Sequence, residues 1–181
     1  MKKIIRYFVM SLLTLCLSIP CFGAVEAATV ALLPLINHTD NELANKVFYK
    51  EALGSLKRQQ GFVLVENDKL TAAIAAAKLN GNLPNVAQMS KIAADGGVDI
   101  VIAMQLDELS KTVRPSSEER TLILDLQGQA VAYNAITGKE YSHKISSSAR
   151  APEAVTARWD WLNEQWGRQV RLEMEKALKA Q

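Results

Sequence analysis

The stretch "VALLPLINHTDN", residues 30–41, joins an almost wholly apolar run to a run of polar residues. Continuous aliphatic runs are typical of strands that are buried on both faces, as in parallel sheets covered by helices. We therefore predict a first buried strand over residues 28–36. Pro34 lacks a backbone N–H, so it should lie at an edge, at a bulge or at the end of that strand.

The polar residues that follow this strand are suited to starting a helix. Thr39, Asp40 and Asn41 are all residue types that cap helix N-termini, and Glu42 stands three residues after Thr39, as a capping box requires. The spacing of the apolar residues then predicts a helix over about residues 41–60. In this interpretation the polar run is only the turn into that helix.

Periodicity and turn residues predict the remaining elements. Strands are expected at 62–66, 98–109, 121–133 and 140–148, helices at 69–79, 86–94 and 152–180, and a polar connection, "SKTVRPSSEER", at 110–120. Helical crossovers make the first three strands parallel, and hairpins make the last three antiparallel. The predicted fold is a single three-layer α/β domain. It has a mixed five-stranded sheet of order 2-1-3-4-5, flanking helices and a long C-terminal amphipathic helix.

A functional interpretation of the polar run stays open beside the structural one. In the order 2-1-3, the carboxyl ends of the first and third strands form a switch-point crevice, where open α/β sheets often bind ligands. Asn37, His38, Asp40 and Asp107 are the candidate residues for such a crevice. Glu108 could meet them there. It follows Asp107 directly, however, so the two carboxylates should diverge on a strand, which favours a solvated surface.

Sequence signatures of catalysis and cofactor binding are missing from the chain. It contains no G-x-G-x-x-G after the first strand, no Walker loop and no G-x-S-x-G elbow. Its two histidines, His38 and His143, do not have the spacing of a metal pair. We therefore expect no enzyme activity, no cofactor and no metal.

The N-terminus has the pattern of a secretory signal peptide. A basic start precedes the apolar residues 7–19, and "VEA" at 25–27 offers small residues for cleavage. The apolar run is shorter than the roughly 20 residues that a spanning helix needs. We predict a signal peptide over 1–27 and a mature domain over 28–181. The mature protein would be exported, with no stable membrane span after cleavage.

Cleavage would remove both cysteines and the excess of positive charge. The full chain has 21 basic and 19 acidic residues, and the leader carries three of the former and one of the latter. The mature chain is therefore balanced in charge and shows no basic stripe, which argues against nucleic-acid binding. A lipoprotein signal requires a small residue directly before the cysteine that is lipidated. Neither cysteine meets this requirement, because Cys21 follows Pro20 and Cys16 follows Leu15.

The predicted C-terminal helix carries an apolar stripe and two large residues outside it. The stripe recurs every three or four residues and consists of Val155, Trp159, Leu162, Trp166, Val170, Met174 and Ala177. Trp161 and Leu172 lie off that stripe. Exposed tryptophan is enriched at protein contacts, so we predict that Trp161 and Leu172 bind a partner. Trp161 packed against a loop of its own chain is the alternative.

The order of motifs resembles that of the envelope proteins TolB (its N-terminal domain), CsgG and LpoB. The matching stretches are "VALLPLINHT", "GFVLVENDKLTAAI", "GGVDIVIAMQLDEL" and "LILDLQGQAVAYNAITGKEYSHKIS". The resemblance implies a non-enzymatic domain that binds other proteins in the periplasm or cell envelope of a bacterium. This sequence differs from those relatives in two ways. Many of them carry a lipidated cysteine, for which neither cysteine of this chain is suited. CsgG-like pores carry added membrane hairpins, and residues 110–120 are too short to form one.

We therefore predict an exported adaptor that binds envelope proteins in secretion, cell-wall or envelope assembly. The sequence leaves open whether it also forms homo-oligomers. The alternative function is a small-ligand binder or a hydrolase that uses the crevice after the first strand.

Overall fold

The computed structural model describes residues 27–58, 60–115 and 120–152. Along the chain the elements are β1 (Ala28–Leu32), β2 (Ile36–Asn37), α1 (Glu42–Arg58), β3 (Phe62–Leu64), α2 (Asp68–Ala76), α3 (Val86–Gly96), β4 (Ile100–Pro115), β5 (Arg120–Asn134) and β6 (Lys139–Pro152). The predicted start of the C-terminal helix at Pro152 was wrong, because Pro152 pairs with Thr121 at the end of β6. The rest of that predicted helix, with Trp161 and Leu172, lies outside the described residues.

These strands form one mixed sheet. Its order is β3-β1-β4-β5-β6, and β2 pairs with β4 beside β1. The pairs β1/β3, β1/β4 and β2/β4 are parallel, whereas β4/β5 and β5/β6 are antiparallel. This is the predicted order 2-1-3-4-5, with the predicted strand directions. The prediction of five strands was wrong, because the described part of the sheet contains six.

The additional strand arises from a break at Pro34. Leu32 pairs with Ile102, and Ile36 pairs with Gln105. The chain therefore advances four residues from β1 to β2 while β4 advances three, so one residue is extra on the β1–β2 side. The exposed Pro34 lies in this interruption, because it has no N–H to donate to the ladder. The predicted position of the proline at a bulge or a strand end is confirmed.

Helices cover both faces of the parallel part of the sheet. On one face Val30 and Leu32 belong to a core with Phe48 and Leu56 of α1. On the other face Ala31 and Leu33 pack with a core that contains residues of α2 and α3: Leu70, Met89, Ile92 and Ala93. Successive residues of a strand point to opposite faces, so a strand buried on both faces reads as an unbroken apolar run. This arrangement confirms the three layers.

Asparagine side chains cap the beginnings of two of the described helices. Asn67 caps α2, and Asn85 forms a capping box with Gln88 at the start of α3. The predicted box between Thr39 and Glu42 was wrong. Glu42 is the first residue of α1, and the Thr39 hydroxyl donates instead to Asn37 Oδ1 at 2.7 Å.

The antiparallel part of the sheet is longer than predicted. β4 continues to Pro115, and its pairing with β5 runs from Ile100↔Asn134 to Pro115↔Arg120. Most of the predicted polar connection at 110–120 is therefore strand, although residues 116–119 lie outside the described residues. The backbone hydrogen bonds between β4 and β5 continue here although the side chains of residues 110–115 are mostly polar. A prediction from the spacing of apolar residues therefore did not detect this part of the strand.

Candidate functional site

The structure has a concavity at the end of β2, where the sequence predicts a ligand crevice. An open concavity of about 720 Å³ lies where β2 ends and β4 continues past it. Its described lining consists of His38, Thr39, Asp40, Asn41, Glu42, Asp107, Glu108 and Leu109. Three of the four predicted crevice residues, His38, Asp40 and Asp107, therefore line one cavity. The fourth, Asn37, does not line it.

Asn37 instead holds the loop that forms one wall. Its Oδ1 accepts hydrogen bonds from the backbone N–H of Thr39 at 3.0 Å and from the Thr39 hydroxyl at 2.7 Å. Its Nδ2 donates to the carbonyl oxygen of Asn41 at 3.0 Å. An asparagine that bonds to the backbone two residues ahead stabilises a turn. Asn37 thus gives this wall a defined shape before α1 begins.

His38 connects that loop to two other segments. Its Nε2 lies 3.0 Å from the carbonyl oxygen of Gly81, in the turn between α2 and α3. Its Nδ1 lies 3.4 Å from Asp107 Oδ1 on β4. A carbonyl oxygen can only accept, so Nε2 carries a hydrogen and donates it. Both ring nitrogens face acceptors of the protein, and the ring therefore joins three parts of the fold.

The opposite wall is formed by a β-bulge. Leu106 pairs with Gly128 and Glu108 pairs with Gln127, so Asp107 is an extra residue in β4. A bulge bends the strand and changes the direction of its side chains. The prediction that Asp107 and Glu108 diverge was wrong for this reason. Both are exposed, and both line the crevice.

Gly128 permits this bulge. A Cβ atom added at Gly128 would overlap the backbone carbonyl oxygen of Gln105 on the neighbouring strand. Glycine allows two backbones to approach this closely because it has no side chain. The glycine in the middle of an otherwise regular strand is the one sequence signal that marks the bulge.

The described lining of the crevice is acidic. It contains the carboxylates of Asp40, Glu42, Asp107 and Glu108 and no lysine or arginine. The crevice is accessible, since the side chains of His38 and Asp107 are 41% and 44% exposed. Across the described residues, no group of three or more His, Cys, Asp or Glu side chains is arranged to hold a metal ion. The acidic, accessible lining favours positively charged groups.

A perturbed acid lies elsewhere, at the start of the parallel strands, and sequence reasoning missed it. Asp99 Oδ2 accepts from the Thr29 backbone N–H at 2.8 Å and from the Thr29 hydroxyl at 2.7 Å. The backbone hydrogen bond first, and the hydroxyl second, lower the pKa of Asp99 below its usual value of 3.8. Nothing in the residue types alone marks Thr29 and Asp99 as partners.

A second hollow, of about 250 Å³, lies beyond Pro34 between α1 and α2. Tyr49 lines it from α1, and Glu66, Leu70 and Ile74 line it from the other side. Burial, and secondly the charge of Glu66, raise the pKa of Tyr49 above 10.0. Sequence reasoning also missed this hollow, because it depends on where α1, α2 and the end of β1 lie relative to one another.

The described residues include no helix with the length and apolarity to cross a membrane. The predicted partner contacts Trp161 and Leu172 cannot be placed, because they lie outside the described residues.

Comparison with known proteins gives only distant likenesses. No protein-family profile and no curated protein sequence matches the chain. A hypothetical protein of Chlamydia trachomatis is 15% identical at a TM-score of 0.49, over 84% of this chain and 94% of that one. A lipoprotein of Neisseria meningitidis is 16% identical at 0.46, over 70% and 85%. The C-terminal domain of LpoB from Salmonella enterica is 17% identical at 0.42, over 70% and 86%.

LpoB is thus named both by the motif resemblance and by this comparison of structures.

Proposed function

We propose that this chain is an exported envelope protein that binds another protein, and that the crevice between residues 38–42 and 107–109 receives a positively charged segment of that partner. The observation that carries the proposal is the bulge at Asp107. It turns two successive carboxylates, Asp107 and Glu108, into a crevice that already contains Asp40 and Glu42. Complementary charge of this kind directs encounter and sets specificity between proteins.

The shape of the crevice supports a protein segment as the ligand. The cavity is wide and open, whereas small-molecule sites usually bury most of the ligand in a mainly apolar pocket. Its two walls are held by internal contacts, the loop by Asn37 and the bulge by the space at Gly128. A preformed surface loses little conformational entropy on binding.

Export is the second part of the proposal, and it rests on the leader. The first strand begins at Ala28, directly after the predicted cleavage position, so removal of residues 1–27 would leave the described sheet complete. Mass spectrometry of the chain recovered from the envelope should find Ala28 at its N-terminus. A chain that retains Met1 would exclude cleavage.

A hydrolase that uses His38 as its base is the less favoured alternative. A general base must offer an unprotonated nitrogen to its substrate. In this structure one ring nitrogen donates to Gly81, and the other faces Asp107. Both nitrogens therefore face oxygen atoms of the protein. A ligand screen by thermal shift addresses this alternative, since a ligand that binds the folded state raises the melting temperature and His38→Ala should abolish that rise.

Charge reversal tests the proposed function. Asp107→Lys places a positive charge in the crevice and should prevent binding of a positively charged segment. Asp95→Lys is the matched control, because Asp95 is an equally charged residue at the end of α3 whose contact is an exposed ion pair with Lys91. Envelope proteins captured by the unmodified chain and by Asp95→Lys should be lost with Asp107→Lys.

Raised salt should weaken the same capture, because it screens exposed charges. Recovery of the same proteins with all three chains would contradict the crevice as the binding surface. Trp161→Ala tests the predicted C-terminal contact in the same experiment. If Trp161 contacts the partner, this variant should lower capture and leave the melting temperature nearly unchanged.

A further inference from the structure

The edge strand β6 is long and, among the described residues, pairs on one side only. It pairs with β5 from Asn134↔Lys139 to Thr121↔Pro152. It contains 14 residues, whereas β3, the edge strand on the other side of the sheet, contains three. A long edge strand presents a row of backbone donors and acceptors that can pair with another strand.

The two faces of β6 differ in character. Tyr141 and Ala149 are half-buried and Ile145 is 7% exposed, so the odd-numbered residues face the core. The even-numbered residues face solvent, namely Glu140, Ser142, Lys144, Ser146, Ser148 and Arg150. The solvent face thus carries one acidic residue near the start of the strand and one arginine near its end. An added strand must match this order of charges.

We propose that β6 pairs with β6 of a second copy of this chain, antiparallel, about a twofold axis at Ile145. In an antiparallel pair, residues directly opposite each other point to the same face. With Ile145 opposite its own copy, Lys144 faces Ser146 and Glu140 faces Arg150. The twofold axis repeats the contact between Glu140 and Arg150 at the other end, so each interface contains two pairs of opposite charge.

Neighbouring registers lack this match. A twofold axis at Lys144 places that lysine against its own copy, and an axis at residue 147 places Lys144 against Arg150. Like charges directly opposite each other destabilise a strand pair. An axis at Ser146 places Glu140 against Pro152, which has no N–H for the ladder. The axis at Ile145 pairs the opposite charges and leaves Pro152 beyond the paired residues.

The charge pattern favours a second copy over a strand of another protein. A twofold pairing requires complementary residues at equal distances on either side of the axis, and Glu140 and Arg150 each lie five positions from Ile145. An axis perpendicular to the sheet also keeps each helix layer on its own face, so two copies form one continuous sheet. This proposal is independent of the crevice, which lies beside β2 on the other side of β4 and β5.

Charge swaps at Glu140 and Arg150 test the interface, with the exported full chain measured by sedimentation equilibrium. The unmodified chain should form a dimer. Arg150→Glu creates two like-charge contacts and should raise the dimer dissociation constant at least about tenfold, a change that corresponds to roughly 1.4 kcal/mol. Glu140→Arg should do the same. The double variant Glu140→Arg/Arg150→Glu restores the opposite pairs and should return the constant close to its original value.

Lys144→Glu is the control, because Lys144 faces a serine in the proposed register and should change the constant little. Tighter association of Lys144→Glu would indicate pairing with Arg150 and would overturn the register. A full chain that is monomeric would overturn the proposal itself. This holds whichever segment pairs with the edge of β6 instead, be it residues 153–181 or a strand of a different protein. A dimer that Arg150→Glu does not weaken would overturn it as well.

Discussion

Thr29 and Asp99 join the starting ends of two neighbouring parallel strands, although 70 residues separate them in the chain. The carboxylate of Asp99 accepts from the backbone N–H and the hydroxyl of Thr29, and the Asp99 N–H lies 3.0 Å from the Thr29 hydroxyl oxygen. The Asp99 carbonyl oxygen accepts from Ala135 N–H at 2.7 Å, where β5 ends. Three strand ends therefore meet at one residue.

Asp99→Ala should lower the free energy of unfolding by about 1.5–3 kcal/mol, because it removes charge-assisted hydrogen bonds and leaves the Thr29 donors without their acceptor. Urea denaturation measures the change. Asp95→Ala is the control, since its exposed ion pair with Lys91 should contribute at most about 0.5 kcal/mol. Equal losses of unfolding free energy in the two variants would show that the hydrogen bonds of Asp99 stabilise the fold no more than an exposed ion pair does.

The same contact predicts a dependence of stability on pH. Because the folded state lowers the pKa of Asp99, its contribution is fully present above the usual carboxyl value of 3.8 and is lost as the pH falls through the lower folded value. The difference in unfolding free energy between the unmodified chain and Asp99→Asn should stay constant from about pH 7 to pH 5 and shrink below about pH 4. A difference that instead grows on acidification would reverse the sign of this linkage.

Gly128→Ala should destabilise the fold by about 1–3 kcal/mol, because the new methyl group overlaps the Gln105 carbonyl oxygen and the strands must move apart. Gly54→Ala is the matched control within α1. Its added Cβ would lie 3.5 Å from the flexible end of Arg58, and alanine favours a helix by up to about 1 kcal/mol over glycine. Thermal unfolding of both variants should therefore shift in opposite directions.

If Gly128→Ala also removes the bulge, Asp107 and Glu108 no longer both face the crevice. Capture of envelope proteins should then fall with this variant even below its unfolding transition. Full capture by a folded Gly128→Ala chain would show that the bulge is not needed for binding.

His38→Ala should loosen the crevice wall and lower the unfolding free energy by about 0.5–1.5 kcal/mol, the contribution of a typical hydrogen bond. Hydrogen exchange measures the local effect. Amides in residues 39–41 and 79–82 should exchange faster, because His38 links the first segment to Gly81 in the second. Amides of β5 serve as the internal reference. Unchanged exchange in both segments would show that the ring does not hold them together.

Much of the fold was predictable because it depends on neighbours in the chain. Alternation along β5 placed Leu122, Leu124 and Leu126 on one face, and all three are buried in the core that includes α1. Asn67 and Gly97 belong to residue types that favour the start and the end of a helix, and in the structure Asn67 caps the start of α2 and Gly97 the end of α3. The order of the strands followed from connection lengths and handedness, which restrict a chain of this pattern to few topologies.

The crevice was predicted only in outline. Topology brought His38 and Asp107 to one place, yet the bulge that adds Glu108 to the lining was missed, since a strand of regular pleat would separate adjacent side chains. The role of Asn37 was also missed. The sequence shows only that residue 37 is an asparagine. It does not distinguish an asparagine that bonds to its own loop from one that faces a ligand.

By itself, the sequence determined where the described helices and the apolar parts of the strands lie, that Pro34 interrupts the first strand, and in which order the strands lie. These features follow from interactions between residues two to four positions apart and from short connections. The sequence did not determine that β4 continues through residues 110–115. Only the tertiary structure decided that Thr29 meets Asp99, that Gly81 meets His38, and that Gly128 lies over the backbone of Gln105. Such contacts depend on the register between distant segments, and a shift of one residue would exchange every partner.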